Sequence, residues 1–350
     1  MWNKKTVWAV LVLSSVLLSS FTYYIYQIIY TPNFQVGKEK TYFIIPEGGT
    51  FDSVRDTLYK HDIVNDVVSF SFLAKLMGYQ EAVKSGIYEV QPDMTNIELI
   101  RLLRSGAQTP TYVTFAYGRT VNDIAEPITR NIAVTPEQFL QAVDAFVGNN
   151  DDGFTKESII GMFIPNTYQV YYTITPGNLV KRMNKEYHTF WNEERLQKAK
   201  ALGLTPKEVS TLSSIVQAES VKEEEAPIIA GLYLNRLKRG IPLQADPTLV
   251  FASGDFTLKR VLNEHKEIDS PYNTYKYRGL PPGPINMPNI HSIDAVLNYQ
   301  KHNYIYMCAK EDFSGYHNFT SSLSQHNINA RKYQRALSIE MRKARQMNGQ

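Results

Sequence analysis

Several groups of residues carry chemistry by type and spacing, and Glu219 is the sharpest of them. Thr205-Pro206-Lys207-Glu208 reads as a helix start, with Thr205 as cap, Pro206 at the first helical position and Glu208 completing a capping box. The apolar residues that follow fall at Leu212, Ile215 and Val216, and the next place on that stripe is Glu219. A carboxyl group turned toward a core is costly to ionise, so its pKa is expected to rise toward that of a general acid at neutral pH. The same residue rotated out to water beside Glu223, Glu224 and Glu225 is an ordinary helix-end carboxylate. Periodicity alone leaves both readings open.

The other groups are less specific. Leu243-Gln244-Ala245-Asp246-Pro247-Thr248 offers a second carboxylate for a glycosidase-type pair, although Asp246 before Pro247 also reads as an N-cap with a first-turn proline. Pro271-Tyr272-Asn273-Thr274-Tyr275, with Gly279-Leu280-Pro281-Pro282-Gly283-Pro284, supplies amides and phenols suited to a polar, extended ligand or to a rigid turn. His291, His302, His317 and His326 show no i, i+4 ligand spacing and no His-Glu-x-x-His, so neither a metal site nor a cofactor is expected. Ser213 and Ser214 lack a Gly-x-Ser-x-Gly elbow, which weakens a hydroxyl nucleophile.

These groups need a scaffold and a compartment. The 350 residues carry a formal net charge of only +3, and no basic run alternates with aromatics, which argues against nucleic-acid binding. Cys308 is the sole cysteine, excluding an internal disulfide. Lys4 and Lys5 precede an uncharged apolar run over 7–30, about the 20 residues that cross a bilayer as a helix. A cleaved signal peptide competes, with Ser19 and Ser20 as a cut site, but the apolar run continues through Ile25, Ile28 and Ile29, beyond a usual signal core. The two lysines should hold the N-terminus in the cytosol. The expectation is a single-pass anchor in the cytoplasmic (inner) membrane, with everything after about Thr31 on the outer side.

Beyond the anchor the pattern is α+β. A strand over 41–45, a Pro46-Glu47-Gly48-Gly49-Thr50 turn, helices over 51–58 and 67–76, a strand over 85–90 and a helix over 96–104 make a small β-α-α-β unit with a trailing helix. At one fixed offset Tyr42 matches Tyr112, Gly48 matches Gly118, Thr50 matches Thr120 and Val54 matches Ile124, so a second strand-turn-helix is expected to open the next domain. Helices are expected over 176–196, 206–220, 227–238 and 331–347, a loop over 270–288 and a strand over 304–309.

The segments Ser214-Ile215-Val216-Gln217-Ala218-Glu219-Ser220, Asn235-Arg236-Leu237 and Leu243-Gln244-Ala245-Asp246-Pro247-Thr248 together resemble the core of the YceG-like family of endolytic murein transglycosylases. The 271–285 loop and Gly315-Tyr316-His317-Asn318-Phe319 with His326-Asn327 match further motifs. The pattern departs at Ile160 and Asn166, where the family usually has acidic residues, and at Ala116-Tyr117.

The resemblance implies an N-terminal transmembrane helix, a LysM-like module and a mixed α+β catalytic domain with one catalytic glutamate, Glu219. It makes Gln244, Asp246, Tyr272, Asn273, His317 and His326 candidate glycan-binding residues. The expected boundaries are a cytosolic tail over 1–6, an anchor over 7–30, a linker over 31–40, the LysM-like module over 41–108, the catalytic domain over 109–340 and a tail over 341–350. Peptidoglycan strands are the implied substrate, and wall synthases are implied partners. Two rivals stand beside this reading: a non-catalytic wall-binding scaffold, and a hydrolysing muramidase using Glu219 with Asp246.

Overall fold

The computed structural model describes residues 3–34, 40–219, 222–258 and 260–348. Residues 1–2 of the expected tail, 35–39 of the expected linker, Ser220 of the glutamate motif and 349–350 lie outside the described residues. The chain divides into two compact units. The first comprises Met1–Val113, Thr129–Thr135 and Tyr168–Thr175, and the second comprises the rest.

The first unit opens with α1 (Lys4–Tyr30), which Asn3 caps by accepting from the Lys5 amide. By length and composition it is the one described helix able to cross a membrane. The element order then follows the sequence pattern: β1 (Thr41–Ile45), α2 (Phe51–Lys60), α3 (Val67–Leu76), β2 (Gly86–Val90) and α4 (Asn96–Ser105). β1 and β2 pair antiparallel, with Thr41 opposite Val90 and Ile45 opposite Gly86. Strand alternation turns Phe43, Ile45, Tyr88 and Val90 inward, onto Val54 and Leu58 of α2 and Leu99 and Leu103 of α4. Capping boxes start both of those helices, Thr50 with Ser53 and Thr95 with Glu98.

A buried amide network fixes the base of α1 to this core. Asn33 Nδ2 donates to the Asp66 carbonyl and to Asn96 Oδ1, both at 2.8 Å, and Asn96 Nδ2 donates to the Ile28 carbonyl at 3.0 Å. A buried amide left without partners costs more than a made bond gains, so this network specifies one junction.

The second unit is mainly helical, and the strands over 111–115 and 166–170 belong in part to the first. β3 (Thr111–Phe115) leads to α5 (Val121–Thr129) and α6 (Pro136–Gly148). β3 forms a two-stranded sheet with β4 (Asn166–Val170), and α7 (Pro176–Phe190) and α8 (Glu193–Leu202) follow. At the centre stands α9 (Pro206–Glu219), packed against α8, α10 (Ala226–Lys238), α11 (Asp246–Ser253) and α12 (Ile290–Leu297). Every residue from Val209 to Val216 is buried, polar ones included. Ser213 Oγ donates to the Val209 carbonyl at 2.7 Å and Ser214 Oγ to the Thr211 carbonyl at 2.7 Å, which closes the serine-nucleophile reading. β5 (Tyr306–Ala309) and β6 (His317–Thr320) pair antiparallel, with Ala309 opposite His317.

α13 (Leu323–Asn348) begins well before the expected Arg331. Ser322 accounts for this, since its hydroxyl accepts from the Gln325 amide and its carbonyl from the His326 amide. Ser322-Leu323-Ser324-Gln325 is a helix-start pattern that the polar sequence conceals.

Close approach fixes α10. A Cβ on Gly231 would stand 2.4 Å from the Gln300 carbonyl oxygen and 2.8 Å from His302 Nε2. Asn235 Nδ2 holds the same segment by donating to the carbonyls of His302 and Tyr304, at 2.8 and 3.0 Å. Gly231→Ala is therefore expected to destabilise the chain by about 1–3 kcal/mol, read by denaturant unfolding of the detergent-solubilised protein.

Candidate active site

Glu219 is the last residue of α9, where the buried helix reaches open space. α10 packs beside it and brings Tyr233 Oη to 3.1 Å from Glu219 Oε1, so the phenol donates to the carboxylate. Asp246 stands at the first helical position of α11 with Pro247 after it, while the N-cap position is taken by Ala245. Its carboxylate therefore does not cap; it accepts from Tyr275 Oη at 2.5 Å.

A second tier of bonds positions these groups. Thr274 ties the segment before α11 to the 271–284 loop: its carbonyl accepts from the Gln244 amide and its hydroxyl from the Ala245 amide, each at 3.0 Å. Arg236 donates to the Leu243 carbonyl at 3.0 Å and to Gln244 Oε1 at 2.7 Å. Gln244 adopts a φ of 55°, a left-handed conformation uncommon for a residue with a Cβ. Glu225, buried at the start of α10, accepts from the His317 amide at 3.0 Å and lies 2.8 Å from His317 Nδ1. A carboxylate there keeps the proton on Nδ1 and leaves Nε2 as an acceptor in the neutral ring.

Two clefts meet at Glu219 and Asp246, and both residues line each. The larger, about 910 Å³, runs past Arg119, Phe251, Phe256 and Tyr333. The smaller, about 460 Å³, is lined by Tyr233, Gln244, Tyr275, His317 and His326. Arg119 lies over the Phe256 ring at 4.5 Å, giving the larger cleft a cationic and aromatic wall.

The electrostatics single out one group. The pKa of Glu219 is pushed up to about 7, first by burial and then by the negative charge of Asp246, while the Tyr233 hydrogen bond opposes the shift. Glu219 keeps some exposed surface, yet its carboxyl is closely surrounded by protein atoms. Burial also raises the phenols of Tyr233 and Tyr275, and it lowers the His326 pKa with help from Arg236. Among the described residues no three His, Cys, Asp or Glu side chains cluster as a metal site.

Of the residues expected from sequence, Glu219, Gln244, Asp246, His317 and His326 converge on these clefts. Asn273 does not. It is fully buried, its Nδ2 donates to the carbonyls of Lys266 and Ile268, and its Oδ1 accepts from the amides of Tyr275 and Lys276. Asn273 thus shapes the loop that carries Tyr275 and cannot reach a ligand. Tyr272 likewise lies outside both linings; its ring packs 4.6 Å from Phe251, and burial pushes its phenol up to about 12. Tyr233 and Glu225 are not among the residues expected at the site; Arg236 stands in a family motif without a role, and Tyr275 only as one of the phenols of the loop. The signal for Tyr233 is its place one helical turn before Arg236 on the same face of α10.

The YceG-like family model matches residues 43–332. The endolytic murein transglycosylase of Bacillus subtilis (strain 168) is 29% identical over 309 residues, covering 83% of this chain and 83% of its own. That of Streptococcus pneumoniae serotype 2 is 28% identical over 330 residues, covering 84% of this chain and 59% of its own. A crystal structure of a yceG-like protein from Listeria monocytogenes is similar with a TM-score of 0.50 and 26% identity, covering 83% of this chain and 99% of that one.

A carboxyl that ionises near pH 7 when folded and near its ordinary 4.5 when unfolded destabilises the fold as pH rises. The cost is absent below 4.5, grows between 4.5 and 7, and is complete above 7. Glu219→Gln is expected to stabilise the protein by about 1–3 kcal/mol at pH 8 and hardly at all at pH 4, read by denaturant melts at both pH values.

Proposed function

The chain belongs to the YceG-like family and is a lytic transglycosylase, and we propose that it cuts peptidoglycan strands internally, at the β-1,4 bond between N-acetylmuramic acid and N-acetylglucosamine. The observation that carries this reading is Glu219: one carboxyl, with a pKa raised to about 7, at the junction of two clefts. Two clefts that share the acid give room for several sugars about the cut, which supports internal cleavage.

The reaction follows from one carboxyl used twice. Protonated Glu219 donates its proton to the glycosidic oxygen, and the bond from that oxygen to muramic C1 breaks with oxocarbenium character. The N-acetylglucosamine side leaves as a free 4-hydroxyl. Ionised Glu219 then takes the proton from the C6 hydroxyl of the same muramic residue, whose oxygen bonds to C1 and closes a 1,6-anhydro ring. Glu219 is protonated again at the end. The nucleophile is already attached to the reacting sugar, so no water need be activated.

Asp246, held by Tyr275, raises the proton affinity of Glu219 and offsets positive charge developing at C1. Gln244, His317 and His326 line the smaller cleft as glycan contacts. Asn273 and Tyr272 serve through the loop and Phe251. The apolar α1 anchors the enzyme in the cytoplasmic membrane with its N-terminus in the cytosol. The 41–108 region forms a LysM-like module and 109–340 the catalytic domain. Cuts made close to the membrane would terminate strand elongation, with wall synthases as partners.

Hydrolysis with Asp246 as second carboxylate draws on the same cleft lining and gives different ends. Mass spectrometry of peptidoglycan treated with the full chain in detergent is expected to find 1,6-anhydromuramic ends, absent with Glu219→Gln. Reducing ends would establish the hydrolase, and uncut wall retained by the protein would establish the scaffold.

The pH profile adds an independent test. Loss of activity on the alkaline side should follow Glu219, with a midpoint near 7. Asp246→Asn removes a charge that raises the Glu219 pKa and shifts the midpoint to lower pH. Tyr233→Phe removes a bond that stabilises the carboxylate and shifts it to higher pH.

A further inference from the structure

α3 is apolar on nearly every side, since only Ser69, Ser71 and Lys75 interrupt Val67–Leu76. Such a helix normally lies inside a large core or a membrane. Here one face is in the core, through Phe70, Leu73 and Ala74, while the opposite face is exposed among the described residues. Val68 is 70% exposed, Phe72 53% and Leu76 73%, at successive i, i+4 places on one stripe.

What covers that stripe follows from its neighbour. α3 and α4 both contact α1, and Ile28 and Ile29 of α1 pack into the core that α3 helps to build. A hydrocarbon layer takes about 20 helical residues, so a span counted from Val7 ends near Tyr26. Tyr23, Tyr24, Tyr26 and Tyr30 are exposed around that level, where an aromatic belt sits at the lipid headgroups. Ile28 and Ile29, and α3 beside them, therefore lie at headgroup depth. α3 contains no Asp or Glu, and its N-cap Asp66 is engaged by the amides of Val68 and Ser69. Lys75 is exposed, and a lysine at that depth can reach its ammonium to anionic headgroups.

Resting on the reading of α1 as a membrane span, we propose that α3 is a second membrane contact, with Val68, Phe72 and Leu76 seated in the outer leaflet beside the anchor. The buried Asn33–Asn96 junction joins the two elements rigidly, so the small unit is held on the lipid surface at two points.

The test uses the full chain carrying Cys308→Ser and one new cysteine, labelled with an environment-sensitive fluorophore. Three forms, Phe72→Cys, Leu13→Cys and Tyr59→Cys, are reconstituted in phosphatidylglycerol–phosphatidylethanolamine vesicles. Tyr59 is 65% exposed on α2 and serves as the aqueous control. Position 72 should be quenched by lipids carrying a shallow nitroxide and be at least about threefold less quenched by iodide than position 59. Quenching at 13 by a deep nitroxide, with 72 behaving like 59, would overturn the docking and leave the anchor standing. No lipid quenching at 13 would overturn both. Position 72 shielded from iodide yet untouched by lipid quenchers would mean a protein partner on this face, and would overturn the proposal.

Discussion

The site depends on one constraint: a carboxyl must be held among protein atoms, where it resists ionisation, and still face open space. α9 meets it by being buried along its length and ending at the clefts. Its serines and threonine would be a liability in a core. Ser213, Ser214 and Thr211 instead return their hydroxyls to helix carbonyls, and Ser214 also receives the Ile285 amide. The helix can then press against α10, α11 and α12 without leaving these hydroxyl groups unpaired. The C-terminal end of a helix carries partial negative charge, which acts on Glu219 in the same direction as burial and Asp246.

The surrounding groups are built in tiers around that carboxyl. Tyr233 and Asp246 act on it in opposite directions, one stabilising the carboxylate and one the acid. Neither stands alone. α10 carries Tyr233 and is seated by Gly231 and Asn235 against the 300–304 segment. Asp246 is set by Tyr275, whose loop is shaped by Asn273 and Thr274. Buried polar side chains in such a loop fix its form because leaving any of them unpaired is costly. In the proposed mechanism a proton donor that becomes an acceptor within one turnover needs balanced neighbours of this kind.

Much of this was legible in the residues. The capping box at Thr205 marked the start of α9, and the apolar stripe made Glu219 a candidate for the core-facing side of its end while leaving the solvent-facing reading open. The Pro46-Glu47-Gly48-Gly49-Thr50 turn between a strand and a helix marked the start of the β-α-α-β order seen in the first unit. The roles of the partners were harder to read. Tyr233 is 1% exposed and passes in sequence for an ordinary core aromatic; only the packing of α10 on α9 shows its hydroxyl aimed at a carboxylate. Asn273 misleads in the other direction, because an asparagine in a Pro- and Gly-rich loop looks like a ligand contact when the loop itself uses all of its bonds. The exposed face of α3 was hidden for the same reason: an apolar run does not say which side lacks a protein neighbour.

The central claim is that Glu219 carries its proton near neutrality. The most direct measurement is a titration of the protein labelled with carbon-13 at glutamate side-chain carboxyls, with the Glu219 resonance assigned by its absence in Glu219→Gln. The account predicts a midpoint near pH 7 for that resonance. A midpoint near the ordinary 4.5 would contradict it, leaving Glu219 ionised at neutral pH and without a proton to give.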